Sequence, residues 1–223
     1  FNQMKPVYFF GGGKADGSAS DKNLLGGKGA NLAEMTTLGI PVPPGFTIST
    51  EVCRHYMQQG DYPENLKRQV RDVLNQVENI MGQTFGDAEN PLLVSVRSGA
   101  RQSMPGMMET VLNVGLTSKT IPGLIKKSKD ERFVYDSYRR LITMYADVVM
   151  EKASGIEIQG GEGIREKLDK ILEETKEQNG AKNDAELSAE NLKELCNIFK
   201  STIKDTLKSE FPDDSNTQLW GSI

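Results

Sequence analysis

The chain has 223 residues, of which 37% are hydrophobic and 26% charged, with a formal net charge of −4. Those proportions fit a soluble globular protein of one large domain or two small ones, and the negative charge argues against a general nucleic-acid surface, so any anion site must be local. No apolar run approaches the roughly 20 residues of a membrane span, no signal peptide is expected, and a lone histidine, His55, excludes a histidine-cluster metal site.

Phe1-Asn2-Gln3 precedes Met4 and is expected to be a remnant, with Met4 the native start. Val7 to Phe10 predicts a short strand. The three glycines from Gly11 to Gly13 fit no phosphate-loop spacing and read as a loose turn. Asn23-Leu-Leu-Gly-Gly-Lys-Gly-Ala-Asn-Leu-Ala-Glu-Met35 is more informative. Gly26 and Gly27 let the backbone approach a ligand closely, and Leu32, Met35 and Leu38 then show helical spacing up to Gly39. Lys28 therefore sits at the positive end of a helix, where free N–H groups favour an anion. The spacing is not that of a Walker A loop, since Gly29 follows the lysine. On its own the stretch fits a surface lysine as well as a phosphate site.

Ile40 to Gly45 is a stiff proline-rich connector. Phe46 to Ser49 predicts a strand, and a helix capped by Ser or Thr follows from about Thr50 to Met57, ended by Gly60. His55 on that helix reads as a structural or surface residue. Glu64 to Met81 predicts an amphipathic helix with Leu66, Val70, Val73, Leu74, Val77 and Ile80 inward and Lys67, Arg68, Arg71 and Glu78 on the opposite, solvated face. Cys53 and Cys196 are expected to be reduced packing residues in a cytosol-like compartment.

Leu92 to Val96 predicts a short buried strand. At Arg97 a charge sits on its end, and Ser98, Gly99, Arg101, Ser103, Pro105 and Gly106 form a polar, basic loop. Such a loop can aim two guanidinium forks and several backbone N–H groups at one phosphate, or it can be a surface loop with two solvated arginines. Met104, Met107 and Met108 are expected to pack or to cover the bound anion.

Past Gly115 helical periodicity dominates. Phe133 to Met150 carries Val134, Tyr138, Leu141, Ile142, Tyr145 and Val148 or Val149 on one side. Ile164, Leu168, Ile171 and Leu172 mark another helix. Ser188 caps a third with Leu192, Leu195, Phe199, Ile203 and Leu207. Tyr135 and Tyr145 are expected at the core or a subdomain interface. Leu219 and Trp220 at the end suggest a helix cut short, so the chain is expected to be a piece of a longer polypeptide.

NLLGGKGANLAEM (23–35) and LLVSVRSGARQSMPGMMET (92–110), with VPPGFTIST and YDSYRRLITMYADVVM, together resemble the pyruvate, phosphate dikinase family. The resemblance runs along nearly the whole chain from Val7. The sister phosphoenolpyruvate synthases share the plan but have no SGARxSMPGMMET run, and rank second. A stand-alone, non-catalytic nucleotide-binding module and a helical interaction domain without catalysis are the readings from other classes.

The resemblance implies an α+β fold: an ATP-grasp-like N-terminal nucleotide-binding subdomain (4–115), a mostly helical inserted subdomain (116–210), and a return to the first over 211–223. It implies a phosphotransferase that uses pyruvate, ATP and phosphate to make phosphoenolpyruvate, AMP and pyrophosphate. Lys28 and Arg97 would be the catalytic phosphate-binding residues, with Arg101, Ser103, Gly106 and Met107 on the closing loop. ATP and magnesium would be the cofactors, the metal ligands lying outside this chain. A phosphohistidine domain and a pyruvate/phosphoenolpyruvate domain would be partners within a cytoplasmic, homodimeric parent, so this chain alone is expected to be inactive in the full reaction. His55 does not match the carrier motif.

Overall fold

The computed structural model describes residues 4–99, 110–155 and 162–223. The chain is α+β and divides into two compact units. One comprises residues 4–83 with 98 and 99, and the other residues 84–97, 110–155 and 162–223.

In the first unit β1 (Val7–Gly11) lies between β2 (Lys14–Ala15) and β3 (Gly45–Ile48), antiparallel to both. Val7 is paired with Ile48 and Phe9 with Phe46, so the apolar residues of β1 enter a core that also receives Leu25, Ala30, Val52 and Leu66. The helices are α1 (Lys22–Thr37), α2 (Thr50–Gln59) and α3 (Leu66–Met81). On α3 the buried residues are Leu66, Val70, Val73 and Val77, one stripe of a 3.6-residue period, with Lys67, Arg68 and Arg71 exposed on the other face. Ile80, expected inward, is exposed near the end of α3. α2 and α3 end on Gly60 and Gly82, both left-handed.

The second unit holds two small sheets and five helices among its described residues. β4 (Thr84–Phe85) pairs in parallel with β5 (Pro91–Leu92), and β6 (Val94–Arg97) pairs antiparallel with β7 (Thr110–Val114). The strand expected over 92–96 is thus two pieces. Leu92 is buried, but among the described residues β6 has only β7 beside it, and Ser95 and Arg97 are exposed. The helices are α4 (Ile121–Ser128), α5 (Glu131–Tyr145), α6 (Ile164–Gln178), α7 (Ala189–Leu207) and α8 (Ser215–Ser222), and α5 runs on as a π-helix over Ala146–Lys152.

α5 and α7 rise side by side in the same direction. Cys196 Sγ donates to the Tyr135 carbonyl, and one turn on Lys200 Nζ lies 5.3 Å from the centre of the Tyr138 ring. Val134, Tyr138, Leu141, Ile142 and Tyr145 are buried as their spacing predicts. Ser188 caps α7 by accepting from Asn191 N, and Asn191 Oδ1 accepts from Ser188 N in return. Residues 211–223 pack within this second unit: Phe211 meets Tyr138 and Tyr145 edge-on, and Gln218 bonds to Gly115 and Leu116. The strands from Thr84 onward share a unit with the helices. The reason is local: β7 packs on α5, where Asn113 Nδ2 donates to the Ser137 carbonyl. No helix among the described residues is long and apolar enough to cross a membrane.

Candidate nucleotide-phosphate site

The site in the first unit is built on a break in α1. Gly26 takes φ 73° and ψ 168°, values that favour glycine, and the helix restarts at once. A restarted helix has a first turn of backbone N–H groups without intrahelical partners and a dipole that is positive at that end. Lys28 stands in this turn, half-buried, and its ammonium has no ion-pair partner among the described residues. Two contacts fix the turn. Thr50 Oγ1, at the start of α2, donates to the Asn23 carbonyl at 2.7 Å. Gly29 lies so close to β3 that a β-carbon on it would stand 2.8 Å from Thr47 Cγ2. Leu25, Ala30 and Ala33 face the core behind it.

Thr47 and Thr50 were not singled out by the sequence. The available signal was Gly29 itself, a further glycine within a predicted helix, which marks close approach of another backbone or side chain.

Arg97 belongs to the second unit. It is the last residue of β6, paired with Thr110 of β7, and its side chain is exposed, without an ion pair among the described residues. Arg101, Ser103, Gly106 and Met107, expected on the loop that follows, lie outside the described residues, as do Met104 and Met108. His55 is a surface residue: its Nε2 lies 3.3 Å from Asp61 Oδ1. Cys196 is buried, and burial pushes its thiol up to about 12. Cys53, expected to pack, is exposed on α2, because that short helix turns Val52 inward and its neighbours outward. Among the described residues no group of three or more His, Cys, Asp or Glu side chains could hold a metal ion.

Residues 22–79 match the family profile described as pyruvate phosphate dikinase, AMP/ATP-binding domain. That stretch begins at α1, contains the Gly26 break and Lys28, and ends within α3. The chain is 49% identical to the pyruvate, phosphate dikinase of Rhizobium meliloti over 98% of its own length. It is 46% identical to that of Clostridium symbiosum over 93% and 47% identical to the chloroplastic enzyme of Zea mays over 96%. Over the span it covers, the chain belongs to the pyruvate, phosphate dikinase family. It spans 23%, 23% and 22% of those three relatives, so under a quarter of a dikinase is represented here. The family stretch lies wholly in the first unit, whereas Arg97 is reached only by the longer matches.

Proposed function

We propose that the chain is the N-terminal ATP-binding part of an enzyme that makes phosphoenolpyruvate, AMP and pyrophosphate from pyruvate, ATP and phosphate. The observation that carries this reading is the break at Gly26, which puts a fresh helix start, and a lysine with no ion-pair partner among the described residues, inside the stretch matching an AMP/ATP-binding domain. Phosphoryl transfer is chiefly positioning and charge neutralisation. Lys28 supplies a point charge on the phosphates and the first-turn N–H groups orient their oxygens; the family resemblance adds Arg97 as a guanidinium fork for phosphate. Arg101, Ser103, Gly106 and Met107, outside the described residues, are assigned to the same phosphate-binding role on the family resemblance.

The finer fold is read as ATP-grasp-like, on the family match alone. Magnesium would neutralise phosphate charge and would be held by groups beyond the residues described. The phosphoryl group would pass to a histidine of another domain, since His55 stands beside Asp61 on the surface. A separate pyruvate/phosphoenolpyruvate domain, a homodimeric parent and a cytoplasmic location complete the proposal.

The test is Lys28→Ala and Arg97→Ala in the native polypeptide that carries this chain. Each charge-assisted contact contributes about 1.5–3 kcal/mol when buried. Each variant should lower ATP-dependent pyrophosphate formation by at least about tenfold with its melting temperature unchanged. Normal pyrophosphate formation by both would sink the assignment.

A further inference from the structure

Among the described residues the glycines inside helices are Gly26, Gly27, Gly29, Gly123 and Gly221. Four have a reason within the chain. Gly26 has a left-handed backbone. A β-carbon on Gly29 would strike Thr47, one on Gly123 the Ala88 carbonyl, and one on Gly221 the Tyr145 hydroxyl. Gly27 shares none of these reasons. Its backbone is helical, and a β-carbon there would meet no described atom within 4 Å. Alanine is the better helix former, because glycine loses more backbone freedom on folding. The described chain therefore offers no structural ground for a glycine at this position.

The location supplies one. Gly27 lies between the Gly26 break and Lys28, in the turn whose N–H groups point away from the helix. An oxyanion bonded to those groups stands about 3 Å from a backbone nitrogen, within reach of a side chain in the same turn. We infer that Gly27 is the point where the nucleotide's phosphate chain touches the backbone, in the space a methyl group would fill. This rests on the nucleotide-site reading above and adds to it a steric requirement at one atom: residue 27 must have no β-carbon.

The experiment is Gly27→Ala, with Lys28→Ala and Gly29→Ala beside it, in the native polypeptide that carries this chain. Each is melted without ligand, and ATP binding is titrated by calorimetry. Gly27→Ala should hold or raise the melting temperature while weakening ATP binding by at least about tenfold. Gly29→Ala should lower the melting temperature, because its methyl strikes Thr47. Unchanged ATP affinity in Gly27→Ala, with affinity lost in Lys28→Ala, overturns the inference and leaves the nucleotide site standing. A lowered melting temperature in Gly27→Ala also overturns it, because the chain itself would then fill the space. If the unsubstituted protein binds no ATP, or Lys28→Ala binds it equally well, the site reading fails and the inference falls with it.

Discussion

Thr47 sets the position of Gly29: a β-carbon on the glycine would stand 2.8 Å from Thr47 Cγ2 and 2.9 Å from its Oγ1. The backbone of α1 thus comes as near to β3 as a strand side chain permits, and Lys28 is carried with it. In Gly29→Ala, better helix propensity opposes a clash with a side chain on a paired strand, and overpacking of this kind costs about 1–3 kcal/mol. The clash should win. Trimming the partner in Gly29→Ala/Thr47→Ala should return part of the loss. Urea unfolding of the two single variants and the double variant gives the coupling, expected to exceed about 0.5 kcal/mol. Additive effects would mean that the two residues do not press on each other.

In the second unit a comparable role falls to Gln218, which is fully buried near the chain end. Its Oε1 accepts from Gly115 N at 2.9 Å, and its Nε2 donates to the carbonyls of Leu116 and Pro212, each at 2.9 Å. The Gly115 carbonyl meanwhile accepts from Thr120 Oγ1 at 2.7 Å and from Ser215 Oγ at 3.1 Å. One amide therefore ties α8 to the exit of β7. Gln218→Ala would strand a buried N–H and leave two carbonyls without this donor, a loss of about 3 kcal/mol in unfolding free energy. Chemical denaturation measures it. A loss below about 1 kcal/mol would show that water replaces the amide at this position.

The helices of both units were legible because their apolar residues repeat with the helical period, as from Leu66 to Val77 and from Val134 to Tyr145. The Ser188 cap and the glycine ends at 60 and 82 were legible because few residue types suit those backbone positions. β6 was misjudged, since a run of apolar and β-branched residues does not say whether a strand has one neighbour or two. β7, α4 and the role of Gln218 were not foreseen, because each depends on partners distant in sequence. At the site, Lys28 and the glycine turn could be read directly. The support from Thr47 and Thr50 needed the pairing of β1 with β3, which brings residues 47–50 alongside α1.

Asp184 ties α5, α6 and the turn before α7 by charge. Lys176 Nζ lies 2.9 Å from its Oδ1 and 2.6 Å from Glu173 Oε1, and Arg139 lies 3.6 Å from Asp184 Oδ2. The hydrogen bond from Lys176, with the Arg139 charge adding to it, holds the Asp184 carboxyl below its ordinary 3.8. Bonds to Glu173 and Asp184 raise Lys176 above 10.5. A depressed carboxyl stabilises the fold above its unfolded value, and that contribution fades as pH falls through the folded value. A raised ammonium stabilises below its unfolded value, and its contribution fades as pH rises through the folded value. Asp184→Asn should therefore be less stable than the parent at neutral pH, by about 1 kcal/mol or less because the carboxylate is partly exposed. The gap should close as pH falls below the ordinary carboxylate range, through the depressed folded value. Urea midpoints across that range test it, and a gap independent of pH would rule out a charge-based role.

Tyr138 presents the opposite case, a polar atom whose removal should not harm the fold. Its side chain is 3% exposed, and its hydroxyl has no hydrogen-bond partner among the described residues. Burial, with the Asp213 charge adding to it, drives the phenol well above its ordinary 10.0, so the group stays neutral throughout the physiological range. The ring does the packing: it meets Phe211 edge-on at 6.1 Å and lies under Lys200 Nζ, and a phenylalanine would keep both contacts. An unpartnered buried hydroxyl costs about 1–3 kcal/mol. Tyr138→Phe should thus match or exceed the parent in stability, by up to about 2 kcal/mol, once the small void left by the oxygen is set against the desolvation relieved. Thermal and urea unfolding both report the difference. A clear destabilisation would mean that the hydroxyl bonds to an ordered water or to a residue outside those described, and would make Tyr138 part of a buried polar network.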